Sequence, residues 1–288
     1  MNKDESDRTL RSVLITGAST GIGEACAIML ASHGWRVFAG VRREEDGERL
    51  AGQASGIHPI LLDVTRKDHI EGVVKTVKAQ VGDHGLQGLV NNAGVAVGGP
   101  LEFLPTDQIG QQFQVNVFGA IAATQAFLPL LRPAGGRIVF TSSNSGFWCE
   151  PFLSVYGASK HALEAIGDSL RVELRPWNMH VALVEPGMIK TPIWDKARTA
   201  AAGAEEVLPA EAFELYAKPL EALRRMVNKT PAIAAPPERV ACAVCHALES
   251  RRPKTRYRVG IDCRIQHRLR RLLPDRVRDC LACWVMGL

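Results

Sequence analysis

The chain of 288 residues contains no apolar run that approaches the roughly 20 residues needed by a membrane-spanning helix. Its opening segment, MNKDESDRTLRS, is polar and carries no apolar signal region. Its seven cysteines are an odd number, and no secretory signal accompanies them, which favours a reducing compartment over a disulfide framework. We therefore expect a cytoplasmic protein.

A strong charge of one sign is also missing from most of the chain. The net charge is +5, but residues 251–288 alone carry +8, so residues 1–250 sum to −3. Only the tail is basic, and a general nucleic-acid-binding role is not indicated. The hydrophobic share of 46% and the charged share of 23% are ordinary for a soluble globular protein.

Short runs rich in Val, Ile and Leu alternate with longer segments that have helical apolar spacing. The predicted strands are 12–16, 36–41, 59–63, 87–91, 136–142, 180–185 and 257–261. The predicted helices are 22–33, 67–81, 106–131, 154–175, 237–249 and 264–285. Most of the strands are apolar on both faces, as parallel strands between helical layers are. This predicts an α/β protein: a single-domain Rossmann fold with a doubly wound, seven-stranded parallel sheet and helices on both faces.

Composition divides the chain into three parts. Residues 1–11 form a polar N-terminal segment, residues 12–262 form the main domain, and residues 263–288 are predicted to be a basic amphipathic helix. Residues 188–236, rich in Ala and Pro with a weak helical pattern at 209–227, interrupt the strand–helix alternation. We expect this insertion to be a substrate loop, because long insertions after a strand end usually form lids or spacers.

A glycine-rich turn, in VLITGASTGIGEA, follows the first predicted strand and opens a helix. A helix N-terminus directs free amides and the positive end of its dipole at an anion, and glycine lets the backbone approach a pyrophosphate. Gly17, Gly21 and Gly23 therefore predict a dinucleotide site. The alternative is an ordinary strand–helix turn.

The end of the second predicted strand, VFAGVRREEDG, indicates the type of cofactor. Arg42 and Arg43 stand where an acidic residue would select NAD, and a guanidinium suits a 2′-phosphate. This favours NADP(H) over NAD(H); in the alternative both arginines are solvated, and Glu44 or Glu45 selects the cofactor. Asp63, which ends the third predicted strand, would accept a hydrogen bond from the adenine amino group or cap the next helix.

The segment SVYGASKHALEAIGDSL sets Tyr156 and Lys160 four residues apart on a predicted helix, so that they share one face. An ammonium group near a phenol favours the phenolate and should lower the pKa of Tyr156 from its usual value of about 10. A phenol whose pKa is lowered in this way can accept and donate a proton. The alternative is a half-buried Tyr beside a solvated Lys.

Six motifs occur in a fixed order along the chain. They are Thr16-Gly17-x-x-x-Gly21-Ile22-Gly23, Asn91-Asn92-Ala93-Gly94, Asn116 in VNVFG, Ser143 in IVFTSSNSG, Tyr156-x-x-x-Lys160 and Pro186-Gly187-x-x-x-Thr191. On these motifs the sequence resembles the short-chain dehydrogenase/reductase family over roughly residues 10–262. Within the family it looks most similar to the group that acts on steroids, retinoids and other apolar alcohols.

The resemblance implies a catalytic tetrad of Asn116, Ser143, Tyr156 and Lys160. Tyr156 would be the general acid and base, Lys160 would also bind the nicotinamide ribose, Ser143 would bond the substrate oxygen, and Asn116 would hold a water that relays protons. The implied cofactor-binding residues are Gly17, Ser19, Thr20, Gly21, Ile22, Gly23, Arg42, Asp63, Val64, Asn92, Ala93, Gly94, Tyr156, Lys160, Pro186, Gly187, Ile189 and Thr191.

Two apolar segments should flank the nicotinamide, one after Ser143 and one after the Pro186-Gly187 turn. The predicted substrate residues are Ser143, Phe147, Trp148, Cys149, Tyr156, Met188 and Trp194. A largely apolar pocket predicts a bulky apolar ketone or secondary alcohol, of steroid, retinoid or lipid-like type. The alternative for several of these residues is packing in the core or at an interface.

Two cysteine pairs, Cys242-x-x-Cys245-His246 and Cys280-x-x-Cys283, imitate haem or zinc motifs. The pairs are separated by 34 residues, longer than the usual zinc spacing, and both lie in helical stretches where Cys acts as a small hydrophobe. No metal is expected.

The tail RIQHRLRRLLPDRVRDCLACWVMGL combines an apolar stripe with arginines. Such a helix suits peripheral contact with an anionic membrane surface, but it could equally cover the substrate cleft or pack on another subunit. The resemblance implies a homodimer or homotetramer formed through 106–131 and 154–175. The sequence thus predicts an NADP(H)-dependent oxidoreductase, with a non-catalytic NAD(P)-binding sensor on the same fold, or a membrane-surface scaffold, as the alternatives.

Overall fold

The seven strands of the sheet follow the predicted alternation. The computed structural model describes residues 11–203 and 208–286. The strands are β1 Ser12–Ile15, β2 Arg36–Val41, β3 Ile57–Leu61, β4 Gly88–Asn91, β5 Arg137–Thr141, β6 His180–Pro186 and β7 Arg256–Val259. They pair in parallel in the order β3-β2-β1-β4-β5-β6-β7. The predicted fold class is therefore confirmed, and the strand order reverses between β1 and β4, where open α/β sheets bind ligands.

Helices cover both faces of this sheet. They are α1 Gly21–Ser32, α2 Glu44–Ala51, α3 Lys67–Val81, α4 Thr106–Phe113, α5 Gly119–Leu131, α6 Ser154–Glu173, α7 Ile193–Ala202, α8 Ala210–Leu215, α9 Ala217–Ile233, α10 Glu238–Glu249, α11 Ile261–Leu272 and α12 Asp275–Met286. On one face α1 and α10 bury a cluster that includes Val13, Ile15 and Val244. On the other face α3, α5 and α6 bury a second cluster around Phe127 and Phe140. The alternation of inward and outward side chains along each strand feeds both clusters.

The helical segment Thr106–Leu131 corrects one expectation. It has 26 residues and a mean hydropathy of 1.3, so by length and composition it could cross a membrane, contrary to the expectation that no apolar run is long enough. Half of its most apolar window is buried inside the protein, and Phe127 and Leu131 are fully buried against the sheet. The segment is a core helix, and a π-helical turn at Gln114–Phe118 interrupts it between α4 and α5.

Several predicted boundaries differ from the structure. Strand β3 begins and ends two residues before the predicted 59–63, and α2 was not predicted. The single helix predicted for 263–288 is two helices, because Pro274 separates α11 from α12 and proline cannot continue a helix. The insertion at 188–236 contains α7, α8 and α9, and its residues 204–207 lie outside the described part, as do residues 1–10 of the predicted N-terminal segment.

Candidate active site

The glycine-rich turn after β1 is fastened to the end of β4 by side-chain hydrogen bonds. The Thr16 hydroxyl oxygen accepts from the backbone N–H groups of Asn92 and Ala93, each at 3.0 Å. The Asn92 side-chain amide donates to the carbonyl oxygens of Thr16 at 3.2 Å and Gly17 at 3.0 Å. Two predicted motifs that lie about 75 residues apart in the chain are thus one unit at the switch point of the sheet.

Two glycines in this unit have no room for a side chain. A Cβ at Gly17, whose φ is +65°, would lie 2.8 Å from the Ala93 Cα. A Cβ at Gly23 would lie 2.2 Å from the Gly17 carbonyl oxygen. The N-terminal turn of α1 therefore packs directly on the β1 turn, with Thr20 as a cap residue whose side chain makes no capping hydrogen bond. This bare backbone cradle at a helix N-terminus fits the pyrophosphate of a dinucleotide.

The far end of the cradle is where the ribose and adenine were predicted to lie. Arg42, just beyond β2, is exposed and makes no hydrogen bond or salt bridge within the described residues. Its neighbour Arg43 pairs with Asp46 at 3.1 Å. Asp63 accepts from the backbone and hydroxyl of Thr65 at 2.9 and 2.7 Å, so it closes the turn that leads to α3. The hydrogen bonds from Thr65 and the charge of Arg42 outweigh burial and lower the pKa of Asp63, so its carboxylate is ionised.

Val64, which was also expected to bind the cofactor, packs its side chain on Gly119 of α5. A Cβ at Gly119 would lie 2.6 Å from the Val64 Cγ2, so the valine side chain is committed to this contact. Only the Val64 backbone is left for a ligand.

Tyr156 and Lys160 lie on α6 and both face the cleft at the carboxyl edge of the sheet. The Lys160 Nζ is 5.7 Å from the centre of the Tyr156 ring and donates to the Thr141 carbonyl oxygen at 2.8 Å. Lys160 is 5% exposed, and its burial lowers the pKa of the ammonium group to about 8, with Glu164 acting in the opposite direction. The two side chains are thus neighbours, and the alternative of a solvated Lys is wrong.

The electrostatics of Tyr156 differ from the prediction. Burial raises the pKa of the phenol, a hydrogen bond with the Ser143 hydroxyl acts against this, and the Glu150 charge adds to it. The expected lowering of the Tyr156 pKa by Lys160 is wrong for this structure, because the phenol is desolvated and the Lys160 ammonium is bonded to Thr141. Near neutral pH the phenol is therefore protonated, which is the form that can donate a proton.

Ser143 follows β5 and completes the cluster of polar groups. It is 6% exposed, and its hydroxyl interacts with Tyr156. The Ser143 hydroxyl donates to Asn144 Oδ1 at 2.9 Å and accepts from the Ser145 N–H at 3.1 Å. Ser142, the other candidate at this strand end, is also buried, but its hydroxyl has no hydrogen-bond partner among the described residues.

Asn116 occupies the π-helical turn between α4 and α5. Its Oδ1 accepts from the Val95 N–H at 2.8 Å, and its Nδ2 donates to the Val95 carbonyl at 3.0 Å and to the Ser159 hydroxyl at 3.1 Å. Both side-chain groups are therefore used to hold the segment that follows β4. The side chain is a clamp in this structure, and the water relay that the resemblance implies remains a prediction.

The loop after β6 lies opposite the glycine-rich turn. A Cβ at Gly21 would lie 3.0 Å from the Thr191 Cγ2, so this loop touches the cradle. The Asp262 carboxylate of α11 accepts from the Met188 N–H at 2.6 Å, and the Trp194 indole N–H donates to the Ile189 carbonyl at 2.7 Å. These bonds shape the loop so that its residues reach the same cleft as Tyr156: Pro186, Gly187, Ile189 and Thr191.

Comparison with known proteins identifies this arrangement. The short chain dehydrogenase family model matches residues 11–202. The NADPH-dependent 3-dehydrocapnine reductase of Ornithobacterium rhinotracheale is 35% identical over 276 residues, which cover 94% of this chain and 95% of the relative. Retinol dehydrogenase 5 of Mus musculus is 36% identical over 295 residues, which cover 95% of this chain and 88% of the relative. A solved short-chain dehydrogenase from Streptomyces avermitilis is similar with a TM-score of 0.77, at 28% identity and 96% coverage of both chains.

The chain belongs to the short-chain dehydrogenase/reductase family. It is therefore an oxidoreductase with a site for a nicotinamide cofactor, and the cradle of Gly17 and Gly23 is the part of the structure that fits this group.

The short-chain dehydrogenase cleft has a volume of about 1000 Å³. Its walls are mainly apolar and come from the loops after β4, β5 and β6, and from α9, α11 and α12. Of the predicted substrate residues, those that line it are Ser143, Trp148, Cys149, Tyr156, Met188 and Trp194. Phe147 does not line it, because its ring packs edge-on against His267 of α11 with the ring centres 5.4 Å apart.

Sequence reasoning missed several polar residues of the site. Gln112 is fully buried and holds the backbone of Val95 and Val97 with hydrogen bonds of 2.7 Å each. Asp262 is so close to Gly187 that a Cβ there would lie against its Oδ2. Of these missed residues, only Asp262 could have been found from the sequence, because it is the acidic residue just after the last predicted strand. Asn144, Glu150 and Gln266 are among the further polar residues that line the cleft.

The cysteine pairs lie on two different helices, and none of these four cysteines is among the residues that line the cleft. Cys242 and Cys245 belong to α10, and Cys280 and Cys283 belong to α12. Across residues 11–203 and 208–286, no three His, Cys, Asp or Glu side chains come together as a metal site.

Proposed function

We propose that this protein is an NADP(H)-dependent oxidoreductase that transfers hydride between nicotinamide and a bulky apolar ketone or secondary alcohol, of steroid, retinoid or lipid-like type. The observation that carries the proposal is the meeting of Ser143, Tyr156 and Lys160 in one apolar cleft beside a dinucleotide cradle. With Asn116 on the neighbouring π-helical turn, these residues are the implied tetrad at the carboxyl edge of the sheet.

In the direction of reduction, bound NADPH supplies the hydride. Tyr156 donates its phenolic proton to the substrate oxygen as the carbonyl carbon gains hydrogen, so that a ketone becomes an alcohol. The raised pKa of Tyr156 supports this role, because it keeps the proton on the phenol near neutral pH. The Ser143 hydroxyl orients the same oxygen, and Lys160, held by Thr141, places a cation next to the phenolate that forms.

The preference for NADP(H) over NAD(H) is proposed from Arg42. This guanidinium is exposed at the end of β2 and is unpaired within the described residues, so it is available to bind a 2′-phosphate bidentately. No acidic residue directly follows β2; Glu44 and Glu45, the alternative selectors, are exposed in the first turn of α2. The Ornithobacterium relative, which is NADPH-dependent, agrees with this choice.

The substrate class is proposed from the size and the lining of the cleft. A volume of about 1000 Å³ lies at the upper end for ligand pockets, and Trp148, Met188, Trp194, Leu220 and Leu269 supply its apolar walls. The similarity to a retinol dehydrogenase supports an apolar alcohol or ketone of comparable bulk.

An activity assay separates an enzyme from a sensor. Purified protein is assayed with a panel of apolar ketones and with NADPH and NADH, next to Tyr156→Phe and the control Tyr216→Phe. Tyr216 lies between α8 and α9 and bonds Glu102 at 3.0 Å. We expect Tyr156→Phe to lose roughly 10²- to 10⁴-fold in kcat, the usual range for a general acid, and Tyr216→Phe to keep its activity. Tight NADPH binding without turnover of any ketone would instead support the sensor.

We also propose that the protein works in the cytoplasm at an anionic membrane surface, through α11 and α12. Leu272 and Trp284 are 76% and 81% exposed. Exposed arginines on these helices form no salt bridge within the described residues: Arg264, Arg268, Arg270, Arg271 and Arg276. An apolar stripe flanked by free cations is the arrangement that binds anionic lipid surfaces.

Vesicle binding tests this surface. Co-sedimentation with phosphatidylserine vesicles, but not with neutral ones, should be lost in Leu272→Ser/Trp284→Ser. It should be kept in Leu215→Ser, which removes an exposed apolar side chain from α8 instead. Co-sedimentation that survives the double substitution would rule this surface out.

A homodimer or homotetramer is proposed through residues 106–131, which comprise α4, the π-helical turn and α5, and through α6. Each of these two segments has an exposed apolar residue: Phe118, at the end of the π-helical turn, is 54% exposed, and Val172, near the end of α6, is 68% exposed. A contact between subunits along these segments would remove both apolar side chains from water. Light scattering should give a mass of two or four chains, and a monomer would reject the proposal.

A further inference from the structure

A continuous chain of hydrogen bonds links Ser143 to the Glu150 carboxylate, which lines the same cleft. The Ser143 hydroxyl donates to Asn144 Oδ1 at 2.9 Å, Asn144 Nδ2 donates to Gln266 Oε1 at 2.7 Å, and Gln266 Nε2 donates to Glu150 Oε1 at 3.0 Å. Asn144, Gln266 and Glu150 are half-buried and all line the cleft. Gln266 belongs to α11, so the C-terminal part of the chain is linked to Ser143 through Asn144.

The Glu150 carboxylate at the end of this chain fixes which group donates in each hydrogen bond. An ionised carboxylate can only accept, so Gln266 must turn its NH₂ group to Glu150. The Gln266 carbonyl then faces Asn144, which must offer its NH₂ group, and the Asn144 carbonyl faces Ser143. Each side-chain amide has one donor group and one acceptor group, so the orientation of Gln266 fixes the orientation of Asn144. The charge on Glu150 therefore requires the Ser143 hydroxyl to donate its hydrogen bond to Asn144.

This direction has a consequence for the substrate. The Ser143 oxygen already accepts from the Ser145 N–H and lies against the Tyr156 hydroxyl, so with its proton directed at Asn144 it has no donor left for a carbonyl oxygen. A neutral Glu150 can donate, and then both amides can rotate. Asn144 would donate to Ser143, and the Ser143 proton would be free to bond a ketone oxygen.

We propose that Asn144, Gln266 and Glu150 are positioning residues that set whether the Ser143 hydroxyl donates to the substrate, with the ionisation of Glu150 as the control. This inference rests on the proposed function for its effect on catalysis, but the hydrogen-bond chain itself is a property of the free protein.

The surroundings of Glu150 place its titration above the usual range. Burial raises the pKa of this carboxyl, and the nearby charge of Asp262 adds to the effect, while the bonds from Gln266 and Ser145 act against it. The other titratable groups that interact with it are its neighbour Cys149 and Tyr156 of α6. Arg270 of α11 acts on Cys149, and Arg278 and Asp279 of α12 line the same cleft. Because the carboxyl is neutral on the acid side, the donating state of Ser143 is present at low pH and is lost as the pH rises.

The first test needs no turnover. In ¹⁵N-labelled protein, the side-chain amide signals of Gln266 and Asn144 should titrate together with Glu150, at a pH above the usual range of a glutamate carboxyl. The amide of Asn116, which bonds Val95 and Ser159, should not titrate.

Three variants decide how the titration is transmitted. Glu150→Gln should abolish both amide titrations, and the distant control Glu71→Gln should leave them unchanged. Gln266→Met should abolish the titration of Asn144. An Asn144 signal that is constant with pH in the wild type, or that still titrates in Gln266→Met, would overturn the inference.

The second test is kinetic and separates the chain from a direct effect of the Glu150 charge on Tyr156. In the wild type, KM for a ketone should rise roughly three- to tenfold across the titration, the range expected for one hydrogen bond. Glu150→Gln should keep the low KM at every pH, and Gln266→Met should remove the step although Glu150 is present. A step that persists in Gln266→Met identifies direct electrostatics and rejects the chain. If no ketone is turned over, the proposed function is rejected. The amide titrations still test the hydrogen-bond chain in that case.

Discussion

The two halves of the site are built in different ways. The half proposed for the dinucleotide is held by backbone contacts, with Gly23 packed on the Gly17 carbonyl and Thr16 bonded to Asn92. The half proposed for the substrate is walled by side chains of α9, α11 and α12, which come from an insertion and from the end of the chain. The first half tolerates almost no change of shape, whereas the second can change its lining and keep the fold.

We expect the largest difference between the two halves from a substitution that adds one methyl group to the dinucleotide half. Gly23→Ala places a Cβ 2.2 Å from the Gly17 carbonyl oxygen, so the turn must open. We expect the free energy of unfolding to fall by about 2–4 kcal/mol, and NADPH binding to be lost, because the cradle is no longer formed. Thermal unfolding and cofactor titration by fluorescence measure both effects.

Gly72 provides the matched control. It lies exposed in α3, and a Cβ added there would meet no atom within 4 Å. Gly72→Ala should therefore stabilise the protein by about 0.5–1 kcal/mol and leave cofactor binding intact. If Gly23→Ala still binds NADPH as the wild type does, the cradle is not the cofactor site.

The second contrast lies within the cofactor half. Arg42→Ala should raise KM for NADPH roughly 10- to 100-fold and leave KM for NADH unchanged, because a charge-assisted hydrogen bond to the 2′-phosphate is removed. The neighbouring Arg43→Ala should change neither, since that guanidinium pairs with Asp46. Equal changes with both cofactors would remove Arg42 from the choice between them.

The cofactor half was predicted better than the substrate half for a physical reason. Where backbone approaches backbone only glycine fits, so Gly17 and Gly23 stand out in the sequence. Apolar walls leave no such mark, because Leu220 could be Ile or Met at the same place. Phe147 was expected in the cleft and packs on His267 instead, since apolar composition does not say which partner an aromatic ring will find.

The remaining differences have local causes. Helix α2 was not predicted, because EEDGERLA is polar and contains Gly47, which is needed where the helix packs on Pro59. The π-helical turn around Asn116 has no periodic signature. The chain from Ser143 to Gln266 joins residues more than 120 positions apart, and polar pairs of this kind are set by packing that one sequence does not reveal.

The third contrast tests the substrate half by filling it. Leu223 of α9 lines the cleft, so Leu223→Trp should lower kcat/KM for bulky ketones roughly 10- to 50-fold through steric overlap and spare small ones. Leu215 is 60% exposed on α8 and does not line the cleft, so Leu215→Trp should have no effect. An equal loss for small and bulky ketones would indicate general damage instead of a filled pocket.

The smallest effect is expected where the two halves meet, at Lys160. Burial lowers the pKa of this ammonium group from 10.5 to about 8, so between these values the unfolded chain holds a proton that the folded chain has released. Raising the pH through this window therefore favours the folded state of the wild type. Lys160→Met has no such group and should not gain this stability.

The difference in the free energy of unfolding, variant minus wild type, should therefore fall by about 1–2 kcal/mol between pH 7 and 9.5, measured by chemical denaturation. Other groups that titrate in this range are shared by both proteins and cancel in the difference. Lys190→Met, at an exposed lysine after β6, is the control for the replacement of a lysine by methionine. A difference for Lys160→Met that stays constant with pH would mean that Lys160 keeps its ordinary pKa. The proton on Lys160 would then cost the fold nothing, and the ammonium group beside Tyr156 would be as stable in the folded protein as in the unfolded chain.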